Sequence, residues 1–449
     1  MAKYKAYPEY KDSGVEWLGE IPLNWNYTPH KYLAVYYKGR NPTTLSSEPK
    51  RDCVPYLSMS YLRTNIVENY VLITSDVRVV PDDLVLIIWD GSNAGEFIKS
   101  KSGILSSTMA VAKLTSKLHH QYYWFSCNCI EPEIRRHATG MGIPHVNGEY
   151  LRYIPMPTPS IEEQIKISLF LIHETMKIDR LVEKQQQLIE LLKEKRQALI
   201  SNAVTKGLNP DVPMKYSGVE WLGNVPEHWL VCPIKHILSI PITDGPHETP
   251  DFFDEGIPFI SAEAISTGKI DFDKKRAYIS KKDHYRYCEK YAPKINDIYM
   301  VKSGATTGVT ALVETEEAFN IWSPLAAFRC KDNYIPNYVL NFFRTAEYLN
   351  ILALSWTFGT QQNIGMGILK NIHITCPPID EAKEIAAHLH HHCLKLEEML
   401  TLALKQVTLL KERHTALISA AVTGKIDLRD WTPPASSTEA SLTTEEATA

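Results

Sequence analysis

The chain has 449 residues, with 48 Lys and Arg against 52 Asp and Glu, a formal net charge of −4, and 44% hydrophobic residues. This is ordinary soluble composition with room for roughly two to four domains. It offers no global field to attract a polyanion, so any nucleic-acid binding needs a local basic surface. The apolar run Leu84 to Trp89 is too short to span a bilayer. The start Met1-Ala2-Lys3-Tyr4 lacks a signal peptide's apolar stretch, and eight Cys without framework spacing fit a reducing cytoplasm.

In chain order, the first feature is the segment at 13–25, Ser-Gly-Val-Glu-Trp-Leu-Gly-Glu-Ile-Pro-Leu-Asn-Trp, read as an aromatic anchor with a turn. Strand-like runs follow at Val54 to Ser58, Leu84 to Trp89 and Met109 to Leu114, punctuated by Gly, Pro, Asn and Asp. The Pro-rich stretch Pro155 to Pro159 precedes a helix predicted from about Ile161 to Lys206. That helix contains neither Pro nor Gly and carries a heptad at Leu171, Ile178, Gln185, Leu192 and Leu199. Gly207 is placed to cap it, and Asn209 to Pro213 make a turn.

The same parts then recur. Ser217 to Trp229 matches Ser13 to Trp25 at nine of 13 positions, at an offset of 204. Strand-like runs appear at Ile257 to Ser261, Ile298 to Val301 and Val309 to Val313. A second helix is predicted from about Ile379 to Thr423, with its heptad at Leu389, Leu396, Ala403, Leu410 and Leu417. The two helix ends echo each other at an offset of 218, with Ala198-Leu199-Ile200-Ser201 returning as Ala416-Leu417-Ile418-Ser419. A duplicated unit of roughly 200 residues is long enough to bury its own core. At ~1.5 Å per residue each helix reaches roughly 65–70 Å. Leu181, Val182, Leu188 and Ile189, and Met399, Leu400 and Val407, widen the apolar stripe beyond a two-helix seam.

The expected fold is α+β: two pseudo-symmetric strand-rich domains separated by two long helices that pair as an antiparallel coiled coil. The expected segments are a first domain at 1–160, a spacer helix at 161–207, a second domain at 208–378, a second spacer helix at 379–425, and a disordered tail at 426–449, rich in Ser, Thr, Ala and Glu beyond Trp431.

Catalytic signatures are missing. Gly304-Ala305-Thr306-Thr307-Gly308 is too short for a phosphate loop and lacks the following Lys. There is no dinucleotide fingerprint, no Asn/Asp-Pro-Pro-aromatic motif of an amino-methyltransferase, and no Glu-x-Lys suitably placed after a Pro-Asp pair for a metal nuclease. His388 and His392 stand at helical spacing, with His390, His391 and Cys393 beside them. They read as a solvated helix face, because the matching first-helix positions retain an imidazole only at His173. Cys127 and Cys129, with one residue between them, suit zinc poorly. No metal is expected.

Binding chemistry is present. Ser92 and Asn93 follow one strand-like run; Ser303, Thr306 and Thr307 follow its counterpart; Gln361-Gln362-Asn363 stand later in the second half. Amide side chains read adenine and basic ones guanine, and Lys99, Lys101, Lys302, Arg135 and Arg136 suit phosphates.

Gly14-Val15-Glu16-Trp17-Leu18-Gly19…Pro22…Trp25 and its copy carry a resemblance, as do Thr243-Asp244-Gly245-Pro246-His247…Pro250, Asn296-Asp297-Ile298…Ser303 to Gly308, and Pro159-Ser160-Ile161-Glu162-Glu163-Gln164. With these residues the chain resembles the specificity subunit of a type I restriction–modification enzyme, over about residues 10–430. The resemblance implies a non-catalytic subunit with two target-recognition domains, each reading half of a bipartite asymmetric double-stranded DNA target. It implies docking of two methyltransferase subunits and, through them, restriction and translocase subunits. It implies no cofactor on this chain; S-adenosylmethionine, ATP and magnesium are expected on the partners. It adds Thr243 and His247 to the candidate DNA contacts. In the first half, Lys38-Gly39-Arg40-Asn41-Pro42 stands near the place of the Thr-Asp-Gly-Pro-His pattern, and Ile143-Pro144-His145 stands where the second half has Gln361-Gln362-Asn363. The competing expectation is a two-domain scaffold joining protein partners through its helices without reading DNA.

Overall fold

The computed structural model describes residues 4–115, 118–355 and 363–433. The chain forms two compact units, one of residues 1–185 and 406–449 and one of residues 186–405. Each long helix is shared between the units. The first spans Ile161–Lys206 and the second Ile379–Val422.

Both units are built on a four-stranded antiparallel sheet with one strand order. In the first unit the order is Ala34–Lys38, Met109–Leu114, Val85–Ile88, Phe97–Lys99. In the second it is Thr243–Asp244, Leu325–Phe328, Ile298–Val301, Thr310–Leu312. The strands Val85–Ile88 and Ile298–Val301 are buried throughout, so they read as continuous apolar runs rather than alternating ones. Each unit also pairs the strand after its Trp with the strand before its long helix: Asn26–Pro29 with Pro155–Thr158, and Leu230–Pro233 with His373–Cys376.

The recurring Trp explains the duplicated motif. Trp25 and Trp229 are both fully buried. Trp25 donates its indole N–H to Glu163 at 3.1 Å. Glu163 also closes a capping box, since Ser160 Oγ accepts from the Glu163 N–H at 3.3 Å and donates to Glu163 Oε2 at 3.0 Å. In the second unit, Glu381 instead takes His228 Nε2 at 2.7 Å.

The helices pair antiparallel inside each unit. In the first unit Ile167, Phe170, Leu171 and Ile178 share a core with Leu417, Ile418, Ala421 and Val422. In the second, Ile200, Ala203 and Val204 share one with Ala382, Ile385 and Leu389. Leu188, Leu191, Met399, Leu402 and Leu404 remain exposed along the helices of the second unit, and Met176, Leu181 and Leu409 along those of the first.

The segment after residue 425 departs from the expected disorder. Ile426 and Leu428 are buried against the first unit, and Trp431 meets Phe170 edge-on at 5.5 Å. Asp427 N–H donates to the Lys5 carbonyl at 2.8 Å. Ile426, Leu428 and Trp431 precede the Ser-, Thr-, Ala- and Glu-rich stretch, and three apolar residues spaced among charged ones show no period that marks a buried segment. Residues 434–449 lie outside the described residues. Among the described residues, no helix is long and apolar enough to cross a membrane.

Candidate nucleic-acid interface

The two central strands end in the same turn. Gly91 and Gly95 have φ of 106° and 91°, and Gly304 and Gly308 have 110° and 94°. Such values strain any residue with a Cβ, so glycine recurs at both positions. Gly95 N–H donates to Ile88 O at 2.8 Å, and Gly308 N–H to Val301 O at 2.8 Å. The second turn joins two strands, whereas a phosphate loop leads from a strand into a helix, which agrees with the missing Lys.

A second glycine in each unit sits beside that turn. A Cβ on Gly39 would lie 2.2 Å from the Ser106 carbonyl oxygen, and one on Gly245 would lie 1.8 Å from that of Ile321. The residues before them, Lys38 and Asp244, each stand opposite an alanine of the neighbouring strand, Ala110 and Ala326. A third piece closes the rim. Val146 N–H donates to Trp89 O and Ile364 N–H to Lys302 O, both at 2.9 Å. Beside these bonds, Asp90 bridges to His145, and Ser303 bridges to Asn363. The backbone frame is therefore common to both units.

The side chains on that frame differ. In the first unit Asp90 takes Lys38 Nζ at 2.6 Å and His145 Nδ1 at 2.6 Å. Burial acts to raise the Asp90 pKa, but the hydrogen bonds from Lys38 and His145 outweigh it and hold the carboxyl below its usual range. In the second unit the carboxylate stands on the strand itself, and Ser303 takes the place of Asp90. Asp244 occupies the strand position of Lys38 and takes Lys290 Nζ at 2.6 Å, Lys302 Nζ at 3.3 Å and His247 Nε2 at 3.1 Å. There too burial would raise the carboxyl pKa, and Lys290 and Lys302 lower it.

Several candidate residues meet at this rim. His247 is largely exposed, Ser303, Thr306 and Thr307 are half-buried, and Asn363 is exposed beside them. Thr243 is half-buried in its strand, opposite Ala327. Thr307 donates its hydroxyl to Gly304 O at 2.6 Å, so this hydroxyl serves the turn. Lys302 is mostly buried and paired with Asp244, a poor disposition for a phosphate contact. Gln361 and Gln362 lie outside the described residues. In the first unit Ser92 is exposed and Asn93 half-buried on the glycine turn.

Lys99 and Lys101 stand apart from that turn. Lys99 is opposite Val85, at the far end of the hairpin, and binds Asp83 at 2.5 Å. Lys101 donates to Tyr61 O at 2.7 Å and to Asn65. Arg135 and Arg136 are held by Glu96 at 3.0 Å and Glu133 at 2.6 Å. Asp90 and Lys290 escaped the sequence reading, and Lys38 and His145 entered it only by position, not as candidate contacts. The only available signal was positional: Gly39 matching Gly245, and His145 matching Asn363.

His388 and His392 face each other with ring centroids 4.3 Å apart. Burial and the neighbouring imidazoles lower the His388 pKa. Among the described residues, no group of three or more His, Cys, Asp or Glu is disposed to hold a metal ion. His137 stacks on Tyr150 at 3.9 Å.

A duplicated sheet, with two long antiparallel helices running through both units and a matched rim whose side chains diverge, defines a protein built of two repeated units. The chain belongs to the type I restriction–modification specificity family: the sequence model described as "Type I restriction modification DNA specificity domain" matches residues 26–191 and 226–406. Members of this family are non-catalytic specificity subunits. The chain is similar to the type I restriction enzyme MjaVIII specificity subunit of Methanocaldococcus jannaschii, at 26% identity over 91% of this chain and 95% of that one. It is also similar to the putative type I restriction enzyme MjaX specificity subunit of the same organism, at 30% identity over 37% of this chain and 39% of the other. Among solved structures, a chain from work on assembly and conformational transition of the type I R-M system matches with a TM-score of 0.67 at 17% identity, covering 90% of this chain and 99% of the other. The HsdS subunit from Thermoanaerobacter tengcongensis matches with a TM-score of 0.50 at 16% identity, covering 90% and 98%. These structural likenesses concern the fold.

Proposed function

We propose that this chain is the DNA sequence-recognition subunit of a type I restriction–modification complex and reads a bipartite, asymmetric target, one half-site per unit. The observation carrying this reading is one backbone rim built twice with different side chains. A shared frame presents each unit to DNA in the same way, and divergent side chains read different bases. The exposed apolar residues of the long helices support docking of two methyltransferase subunits, which in turn bring the restriction subunits. S-adenosylmethionine, ATP and magnesium then belong to those partners. Methylation mapping of host DNA with the complete complex tests the reading, and the expected result is a motif of two unlike half-sites around a fixed spacer. Binding of the complex to mixed-sequence duplexes should weaken as salt rises. Salt-independent association, or methylation without a sequence motif, would leave only a protein scaffold.

A further inference from the structure

One element of the first unit has no part in its core. Thr139 and His145 pair through two backbone bonds, Thr139 N–H to His145 O at 2.9 Å and His145 N–H to Thr139 O at 2.7 Å. Between them run Gly140, Met141, Gly142, Ile143 and Pro144. Gly140 and Gly142 have φ of 113° and 98°, and a Cβ on Gly140 would lie 2.4 Å from the Ile143 carbonyl oxygen. The tight loop is therefore built by its glycines. It presents Met141 fully exposed and Ile143 mostly exposed.

The loop is fixed to the rim at its base. Gly91 N–H donates to Pro144 O at 2.9 Å, and Asp90 holds His145 Nδ1 at 2.6 Å while its other oxygen holds Lys38. His145 is about half exposed, and with Nδ1 engaged its Nε2 edge is the group left for a ligand. Asn363 occupies the same bridging place in the second unit. Two isolated apolar side chains on a narrow loop are far smaller than a protein-docking patch needs. They suit apolar contact with base edges, such as the thymine methyl, while a ring nitrogen or an amide suits a hydrogen bond to a base.

We infer that the Thr139–His145 loop is a specificity-determining element of the first unit, with Met141, Ile143 and His145 contacting base edges of one half-site and Asp90 positioning His145. This inference rests on the DNA-recognition reading above. The test is methylation mapping with the complete complex carrying His145→Asn or Met141→Ser. His145→Asn should change base preference at one position of one half-site by about tenfold or more, and Met141→Ser should relax preference at a nearby position. The other half-site and the spacer should stay unchanged, which reports that the complex is folded. Met141 is fully exposed, so its replacement tests the idea even where His145→Asn folds poorly.

A wild-type two-part motif that both variants reproduce unchanged overturns the inference alone. So does a uniform loss at all base identities, which marks contacts to the DNA backbone, and so does loss of methyltransferase binding in native mass spectrometry with base preference intact. A wild-type complex that methylates without any motif overturns the functional reading and this inference with it.

Discussion

His30 shows how a single buried residue sets a pH limit. It is buried, with Nδ1 donating to Leu151 O at 3.1 Å and Nε2 accepting from Tyr123 Oη at 2.8 Å. Burial pushes its pKa down from 6.5 to about 4, against a smaller raising effect of the Leu151 carbonyl. Between those values the unfolded chain binds a proton that the folded chain refuses, so acid favours unfolding. Its contribution is complete above pH 6.5 and is lost as pH falls toward about 4, amounting to roughly 3 kcal/mol across the window. Chemical denaturation across pH 4–7 should show wild type losing stability faster than His30→Gln; equal slopes would refute the assignment. Leu428 makes a second residue-scale case. Leu428→Ala should destabilise the first unit by about 2–5 kcal/mol, the usual cost of emptying a buried leucine site. Denaturant midpoints check it, and an effect below about 0.5 kcal/mol would show that the segment after the second helix contributes little.

At the scale of elements, the long helices were readable because helical periodicity survives without tertiary context. The structure places Leu171, Ile178, Leu192, Leu389, Leu396, Ala403 and Leu417 in the buried stripe. Strands were less readable. Of the run expected at Val54 to Ser58 only Val54 and Pro55 fall in a strand, Cys53–Pro55, and of Val309 to Val313 only Thr310–Leu312, because the partner strand decides where ladder pairing stops. If the helices set the spacing between half-sites, inserting four residues near Gln185 to Gln187 adds about one turn, ~6 Å of rise. At ~3.4 Å per base pair, the spacer should lengthen by roughly one or two base pairs with both half-sites unchanged. One or two inserted residues should instead rotate the apolar stripe and weaken assembly. An active four-residue variant with its original spacer in methylation mapping would remove the helices from that role.

At the scale of the whole molecule, duplication gives each unit its own sheet, core and rim, so base preference should be exchangeable. Replacing about residues 26–150 with those of a relative should change one half-site and preserve the other and the spacer. Methylation mapping of the chimera decides this, and alteration of both half-sites would defeat the modular reading. The same swap identifies the half-site that His145 and Met141 should affect.

The duplication, the two helices and the family resemblance were determined by sequence alone, because they rest on identity, heptad spacing and the absence of breakers, all local along the chain. The matched glycine turn, with Gly91 and Gly95 answering Gly304 and Gly308, came from the backbone angles of the folded chain. The pairing of Lys38 with Asp90 and His145 was not legible in the sequence, since these residues come from three separate segments that only the folded sheet brings together. Nor was the charge arrangement around Asp244, or the withdrawal of Lys99, Lys101 and Lys302 into ion pairs and hydrogen bonds. A lysine's sequence position does not say whether a carboxylate or carbonyl will stand beside it. That is fixed by strand register and loop closure, and so by tertiary structure.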